Sequence, residues 1–552
     1  MVDDKVMERI PLSEVPEGER LFTSSMLFSL KGDANNNIER AKARWVFGGH
    51  RQIEGVHYQE ANASCPRWST IRLFIAKAAK AGLKLRAGDI SGAYLKAPGA
   101  STLYMRSPHD QVEYDAQGNP YVYKLMGNLY GRVEAGRQWM IYFSTFLKSI
   151  GFIANKVDPC VFERTVHVDG TTHKTSLLTY VDDLCYTGNS DEAVEHLEHE
   201  LIAKFGNIKA NDPDFFLGAN IKQTDEQIHL CSSAMIKRMA KRFFPTIDID
   251  QLDLTRATTP FPSHGSSLGA EVLLTDCPDI EKGEQPLAKP YREIIGALSY
   301  VALTTRPEIA FYTSQLARVQ ANPGEKHWKL AKHVLRYLIA TPDHGLTYHR
   351  EGDGLQYYVD ASWADVTPNY KTKEDGKRYL TADDDGRRSS YGYIGFYASG
   401  PISWAARIQK GRRALSSMES ELIAAVEASK DVIHIRQVLH DMGLKQTEPT
   451  ILFEDNQSTI NTVLREGITS RTKHIEVKWF WLRDIQSEVK VTKKHTSEQL
   501  ADIHTKRLNV TTFSYLRDKL VQPFHFTGCI FIQQLHEHVF TTTRNILVQP
   551  HA

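Results

Sequence analysis

Leu177-Leu178-Thr179-Tyr180-Val181-Asp182-Asp183-Leu184-Cys185-Tyr186 sets two adjacent carboxylates inside an apolar, β-prone run. Isolated anions are costly to desolvate in such a run, so something cationic should answer them. A strand sends successive side chains to opposite faces, and neighbouring aspartates converge only where the chain turns between them. Gly188-Asn189 supplies a second reversal signal soon afterwards. Two readings follow: a strand-turn-strand carrying a metal-binding acidic pair, or a hairpin tip whose acids are simply solvated. The pair alone does not choose between them.

The 552 residues, 41% of them hydrophobic and 10% aromatic, can bury several cores, and length alone suggests about three or four domains. Lys plus Arg (67) nearly balances Asp plus Glu (66), so any nucleic-acid signal must come from local clustering. Such a cluster lies between Arg40 and Arg86, where Lys42, Arg44, Arg67, Lys77 and Lys84 fall in one region; it suits a phosphate-binding surface or a solvated basic face. Six cysteines without CxxC spacing argue against a disulfide framework or zinc site and suit a reducing compartment. No stretch approaches the roughly 18 apolar residues of a membrane span, and Met-Val-Asp-Asp-Lys-Val lacks a signal-peptide core, so neither spanning nor secretion is expected.

Residues 20 to 50 read as a hairpin that turns at Gly32 to Asn37, with Lys42 and Arg44 on one face of its second strand. Ser69 to Ala81 carries a helical pattern that Gly82 ends, and a strand should follow through Leu83, Leu85, Ala87 and Asp89. Asp89 is then a functional strand-end acid or a helix N-cap. Two strands around Leu103 to Pro108 and Tyr121 to Leu125 precede Leu129-Tyr130-Gly131-Arg132, and a helix starts near Trp139. Residues 245 to 290 hold six prolines and should form an irregular linker, and 291 to 342 read as two helices.

The order of these phrases resembles the reverse transcriptase and ribonuclease H part of a copia-type (Pseudoviridae) long-terminal-repeat retrotransposon Pol polyprotein. The matching phrases run from Ile38 to Val46, Asp89 to Leu95, Leu103 to Pro108, Leu129 to Trp139 and Tyr180 to Asp183, then through Phe216-Leu217-Gly218, Tyr291 to Gly296, Thr305-Arg306-Pro307 and Lys326 to Lys329. Together they cover roughly residues 5 to 520, which makes coincidence implausible although each phrase alone is weak. The resemblance implies a multidomain α/β (α+β) chain: a right-hand polymerase with fingers and palm over 1–205, thumb, linker and connection over 206–345, a ribonuclease H-like domain over 346–510, and an extension of unknown role over 511–552.

A second acidic set lies in the C-terminal half. Asp360 and Asp455 end two strand-like runs, and Glu421 sits early in a long helix where Ser416 and Glu419 have capping-box spacing. Glu498 and Asp502 are spaced i,i+4, as on one face of a short helix. This set resembles the ribonuclease H fold, whose carboxylates map to Asp360, Glu421, Asp455 and Asp502. Phosphodiester hydrolysis by in-line attack uses two divalent ions ~4 Å apart, and hard Mg²⁺ calls for oxygen ligands.

By the same resemblance, Asp89 and Asp182 bridge two Mg²⁺ ions in the polymerase site and Asp183 supports them, with Mn²⁺ as an alternative metal. Lys42 and Arg44 are candidates for the β- and γ-phosphates of the incoming dNTP. Tyr94 stands where an aromatic blocks the sugar 2′-hydroxyl, and Tyr130, Gly131 and Arg137 shape the nucleotide and template pocket. The implied partners are an RNA template, a DNA primer, the RNA–DNA hybrid and dNTPs, with no membrane. A homodimer is left open, and a Gag particle and integrase would be supplied elsewhere, since no protease, zinc-knuckle or integrase phrase is present. The expected location is the cytoplasm, inside a virus-like particle, or the nucleus. The chain departs from the family's wording at 57–67, at 364–386, which reads as a longer surface loop, and in the tail 527–552. The competing readings are a decayed or host-adopted remnant that only binds nucleic acid, and nucleotidyl transfer on DNA templates.

Overall fold

The computed structural model describes residues 6–524 apart from 33–37, 109–110, 207, 209, 247–250, 263–276, 279–283, 365–369, 373–377, 381–387, 411–412 and 466–475. The turn of the first hairpin, much of the proline-rich linker, most of the 364–386 segment and the tail from 525 therefore lie outside the described residues.

The acidic decapeptide folds as two strands, Thr171–Tyr180 and Asp183–Gly188, with Tyr180 paired to Asp183 across the tip. They sit inside an antiparallel five-stranded sheet whose order is Arg86–Asp89, Asp183–Gly188, Thr171–Tyr180, Val161–Val168, Ile153–Ala154. The alternation of apolar residues explains the strands' two faces. Leu177 and Leu184 enter one cluster with Trp139, Phe143 and Leu197, while Leu178 and Cys185 enter another with the helix Trp68–Lys80. That helix is buried on nearly every side, ten of its thirteen residues being covered, which marks it as an element packed between layers rather than on a surface.

A four-stranded sheet made from Met7–Pro11, Tyr121–Gly127, Pro98–Arg106 and Leu21–Phe22 flanks the palm-like sheet, and the hairpin Ser24–Gly32 with Ile38–Phe47 projects as a separate pair. The first expected strand is thus divided: Leu21 and Phe22 pair with Tyr104 and Met105, and the hairpin begins at Ser24.

Beyond the helix Ser233–Phe243, the segment 291–342 forms three helices rather than the expected two: Tyr291–Thr304, Ala310–Ala317 and Glu325–Ala340. The additional break falls at Thr305-Arg306-Pro307, because proline has no N–H to continue a helix and restricts the residue before it. Arg306 is fully buried there, paired with Glu308 at 2.7 Å and bonded to the Thr341 carbonyl at 2.8 Å.

The strand His344–His349 pairs with Gln227–Cys231 on one side and with Gln522–Pro523 on the other. A boundary between 345 and 346 runs through this strand. The segment after 510 forms the helix Val510–Leu520, whose Phe513 and Leu516 enter the main core.

The C-terminal α/β unit has the strand order Gly400–Ile408, Ser390–Tyr397, Gln356–Ser362, Thr450–Glu454, Val489–Lys493. Its first two pairings are antiparallel and its last two parallel, so the strand that carries Asp360 is central in a mixed sheet. The long helix Ser417–Asp441 packs on its central strand. Among the described residues, no helix is long and apolar enough to cross a membrane.

Two candidate acidic centres

The tip of the palm hairpin is built under strain. Val181 has φ +60°, a left-handed conformation that costs a β-branched residue roughly 1–2 kcal/mol. Its carbonyl repays this by accepting from Trp139 Nε1 at 2.7 Å and from Thr179 Oγ1 at 3.2 Å. The turn leaves Asp182 at the tip and Asp183 as the first residue of the returning strand. Asp183 faces Asp89 in register, and the Ile90 N–H donates to the Asp182 carbonyl at 3.0 Å, so all three aspartates meet at one sheet end. Ser91 Oγ donates to Asp89 at 3.3 Å, and the following short helix is capped by Gly92, not by Asp89.

Tyr94 and Tyr130 close one side of this sheet end, with ring centroids 5.4 Å apart. Both hydroxyls are pushed above their ordinary pKa, first by burial and then by the charge of Asp182. The Arg44 guanidinium lies 5.7 Å from the Tyr130 ring centroid and offsets part of that rise. Lys42 and Arg44 alternate on the same face of their strand, opposite Ser29 and Leu27. Gly131 is required by geometry: at φ +92°, an added Cβ would meet the Phe47 carbonyl oxygen at 2.2 Å. Arg137 is engaged on the 57–67 loop, paired with Glu60 and donating to the Asn62 carbonyl at 3.5 Å. Sequence reasoning missed Arg132 and Glu134, a fully buried pair whose arginine also holds the Gly127 and Ser101 carbonyls, fixing the loop that carries Tyr130.

In the second centre, Asp360 comes from the central strand, Glu421 from the first turns of the long helix and Asp455 from just beyond the adjacent parallel strand. Their ligand atoms all lie within 4.8 Å of one another. Among the described residues this is the one such group of three or more. Burial pushes Asp360 and Glu421 above the carboxylate range; the neighbouring carboxylates push further the same way, while the Lys506 ammonium opposes the rise, most strongly at Asp360. Crowded acids that raise one another mark a candidate cation site.

Glu419 keeps the structural role its spacing assigned: Ser416 Oγ accepts from the Glu419 N–H at 3.2 Å, and the Glu419 carboxylate accepts from the Leu415 N–H at 2.7 Å. Glu498 and Asp502 do not share one helix face. They fall in two separate 3-10 turns, Thr496–Glu498 and Leu500–His504, because Gln499 is extended between them and donates to the Val359 carbonyl at 3.0 Å. Glu498 points outward to Lys494 at 2.8 Å. Asp502 turns inward, where Lys506 Nζ sits 2.8 Å from it and 3.6 Å from Asp360. Thr505 Oγ1 also donates to Asp360. Lys506, Thr505 and the fully buried Glu454, whose Oε2 has no hydrogen-bond partner, are site residues that strand and helix periodicity did not single out.

Residues 8–250 match the family described as "Reverse transcriptase (RNA-dependent DNA polymerase)". Over 90% of its length the chain is 30% identical to a retrovirus-related Pol polyprotein from transposon TNT 1-94 of Nicotiana tabacum, covering 35% of that protein. It is 29% identical to the corresponding polyprotein of transposon RE1 from Arabidopsis thaliana, again over 90% of this chain and 31% of the relative. A solved foamy viral protease-reverse transcriptase in complex with dsDNA aligns at 12% identity and TM-score 0.46, covering 90% of this chain and 80% of that one. Residues 8–250 are thus similar to a reverse transcriptase domain. The chain is related to the Pol polyproteins of copia-, Ty1- and Ty5-type retrotransposons, and spans about a third of the length of the curated Pol polyproteins reported above.

Proposed function

We propose that the chain copies RNA into DNA at the Asp89, Asp182 and Asp183 centre and hydrolyses the RNA of the resulting hybrid at the Asp360, Glu421 and Asp455 centre. The observation that carries this reading is the convergence of Asp89 with the strained hairpin tip, beside Tyr94, Tyr130 and Arg44, in a chain that also holds a buried carboxylate trio. The donor set fits hard divalent cations: it offers only oxygen atoms, and Glu421 Oε2 is buried without a hydrogen-bond partner. Two Mg²⁺ ions at each centre would supply Lewis-acid charge stabilisation and lower the pKa of the attacking oxygen.

The chain's own groups do the positioning. Asp89 and Asp182 orient the primer terminus and triphosphate, and Asp183 supports them from the returning strand. Lys42 and Arg44 neutralise phosphate charge, and Arg137, held on the 57–67 loop, lines the template side. Tyr94 packs where the sugar 2′ position would lie, with Tyr130 and Gly131 behind it. In the second centre Asp360, Glu421 and Asp455 form the inner ring, and Asp502 completes the site from the side that Lys506 occupies. The substrates are accordingly a DNA primer on an RNA template, dNTPs and the RNA–DNA hybrid.

Gel-based primer extension on an RNA template, with cleavage of a preformed hybrid run in parallel, tests this reading. Asp182→Asn should abolish extension and spare cleavage, and Asp455→Asn should do the reverse. Equal loss of both activities in each folded variant rules out two independent centres, and binding of hybrid without Mg²⁺-dependent turnover in the wild type rules out catalysis.

A further inference from the structure

Arg72 is a cation at the centre of the molecule. It lies in the middle of the helix Trp68–Lys80, is 2% exposed, and forms no ion pair with a carboxylate among the described residues. Burial lowers its pKa only to about 10, so it stays charged at neutral pH. Its partners come from two other parts of the chain. Nε donates to the Ile402 carbonyl at 2.7 Å, in a strand of the ribonuclease H-like sheet. Nη1 donates to the carbonyls of Leu303 at 2.6 Å and Thr304 at 3.2 Å, which close the helix Tyr291–Thr304 and have no partner within it. The guanidinium also stacks 3.8 Å from the ring centroid of Trp404, whose Nε1 bonds the Ala302 carbonyl at 3.0 Å.

A buried charge is costly, and an apolar side chain of similar volume would fill this space at lower cost. What the guanidinium adds is direction: a planar fork fixed to three carbonyls and a ring. Further ties hold the same junction, with Asn155 Nδ2 on the Val438 carbonyl at 3.0 Å and the Lys156 N–H on Asp441 at 2.8 Å. One apolar cluster runs without interruption from Ile71 and Phe74 through Leu298 to Tyr357, Ile394 and Leu422.

We propose that Arg72 is a positioning residue that locks the polymerase sheet and the ribonuclease H-like sheet into one rigid body, and so sets the distance behind the primer terminus at which hybrid RNA is cut. The proposal rests on the two activities assigned above. Arg72 touches neither acidic centre. Its effect is on register: with both sheets fixed to one helix, a hybrid whose DNA 3′ end is seated at Asp89 and Asp182 presents a single narrow stretch of RNA to Asp360, Glu421 and Asp455.

The test maps cuts in 5′-labelled RNA annealed to DNA strands with recessed 3′ ends. The wild-type chain should cut within a narrow window that moves nucleotide for nucleotide as the DNA 3′ end is moved. Arg72→Met should widen the window by several nucleotides while extension alone and total hybrid cleavage each stay within about threefold. Arg72→Lys, which keeps the charge and loses the fork, should widen it too. A wild-type window that ignores the DNA 3′ end, or an unchanged window in Arg72→Met, overturns the proposal. If Arg72→Met does not fold, Trp404→Phe, which removes the bond to Ala302, replaces it with the same expected widening. Scanning calorimetry supplies a readout that needs no activity: one cooperative transition in the wild-type chain and two in Arg72→Met. Two transitions in the wild type overturn the lock, whereas a single transition without any turnover overturns the assigned activities and leaves the lock standing.

Discussion

Asp89 and Asp183 are direct cross-strand neighbours at the end of the palm-like sheet. Like charges set opposite one another in an antiparallel pair are destabilising by roughly 0.2–1 kcal/mol. Asp183→Asn should therefore stabilise the metal-free chain against urea by up to about 1 kcal/mol. Primer extension should fall on the order of a hundredfold or more, the cost typical of removing one group that stabilises transition-state charge. A variant that loses both activity and stability would show that Asp183 serves the fold.

Much of the architecture was readable because local signals agreed with the final packing. Apolar alternation around Asp182 and Asp183 gave both hairpin strands, Gly82 ended its helix, and Ser416 with Glu419 marked the start of the long helix, separating Glu419 from Glu421. What escaped depended on distant contacts. Arg72 lies in a helical pattern that puts an arginine on the outside, and only the arrival of Ile402 and Trp404 makes that position interior. Asp502 fits an α-helical spacing with Glu498, yet the buried Gln499 side chain splits the segment into two 3-10 turns and sends the acids apart. Lys506 gains meaning only when its own turn lies against Asp360, 146 positions earlier (506 − 360). The third helix of the 291–342 segment was signalled by Pro307 but outweighed by the continuous apolar pattern around it.

Tyr94 is half-buried with its ring against Tyr130, and both phenols feel the charge of Asp182. On the function proposed above, a wall in that position would exclude a 2′-hydroxyl by contact. Tyr94→Val should lower discrimination against ribonucleotides by about tenfold or more, with extension from dNTPs reduced less. Single-nucleotide incorporation of a dNTP and its matching rNTP measures the ratio. An unchanged ratio in an active variant would remove Tyr94 from sugar selection.

The ammonium of Lys506 occupies the space between Asp502 and Asp360, where it offsets part of the repulsion among the buried acids. A divalent ion approaching Asp360 must compete with it. Lys506→Met should therefore bind Mn²⁺ several-fold more tightly in titration calorimetry, and the metal-free variant should melt earlier because Asp360 and Asp502 lose their cation. Binding that weakens or stays the same would mean that the lysine does not compete with the ion. Asp455→Asn serves as the control that removes a trio ligand and should bind more weakly than either.

His229 is fully buried in the strand Gln227–Cys231, its ring nitrogens bonded to Thr347 Oγ1 at 2.9 Å and to the Asp343 carbonyl at 3.2 Å. Burial lowers its pKa to about 4, and the positive charges of Lys222 and His344 act in the same direction while Asp343 opposes them. In the unfolded chain a histidine titrates near 6.5. Between those values the unfolded state binds a proton that the folded state does not, so stability is fully present above about pH 6.5 and falls as the pH drops toward 4. The shift corresponds to about 3 kcal/mol at most. His344, next to the same strand pair and also lowered to about 4 by burial, should add to the loss. Urea unfolding at pH 7.5, 5.5 and 4.5 measures the slope, and His229→Gln should flatten it by removing the titrating group. An identical slope in the two proteins would assign the acid sensitivity to other residues.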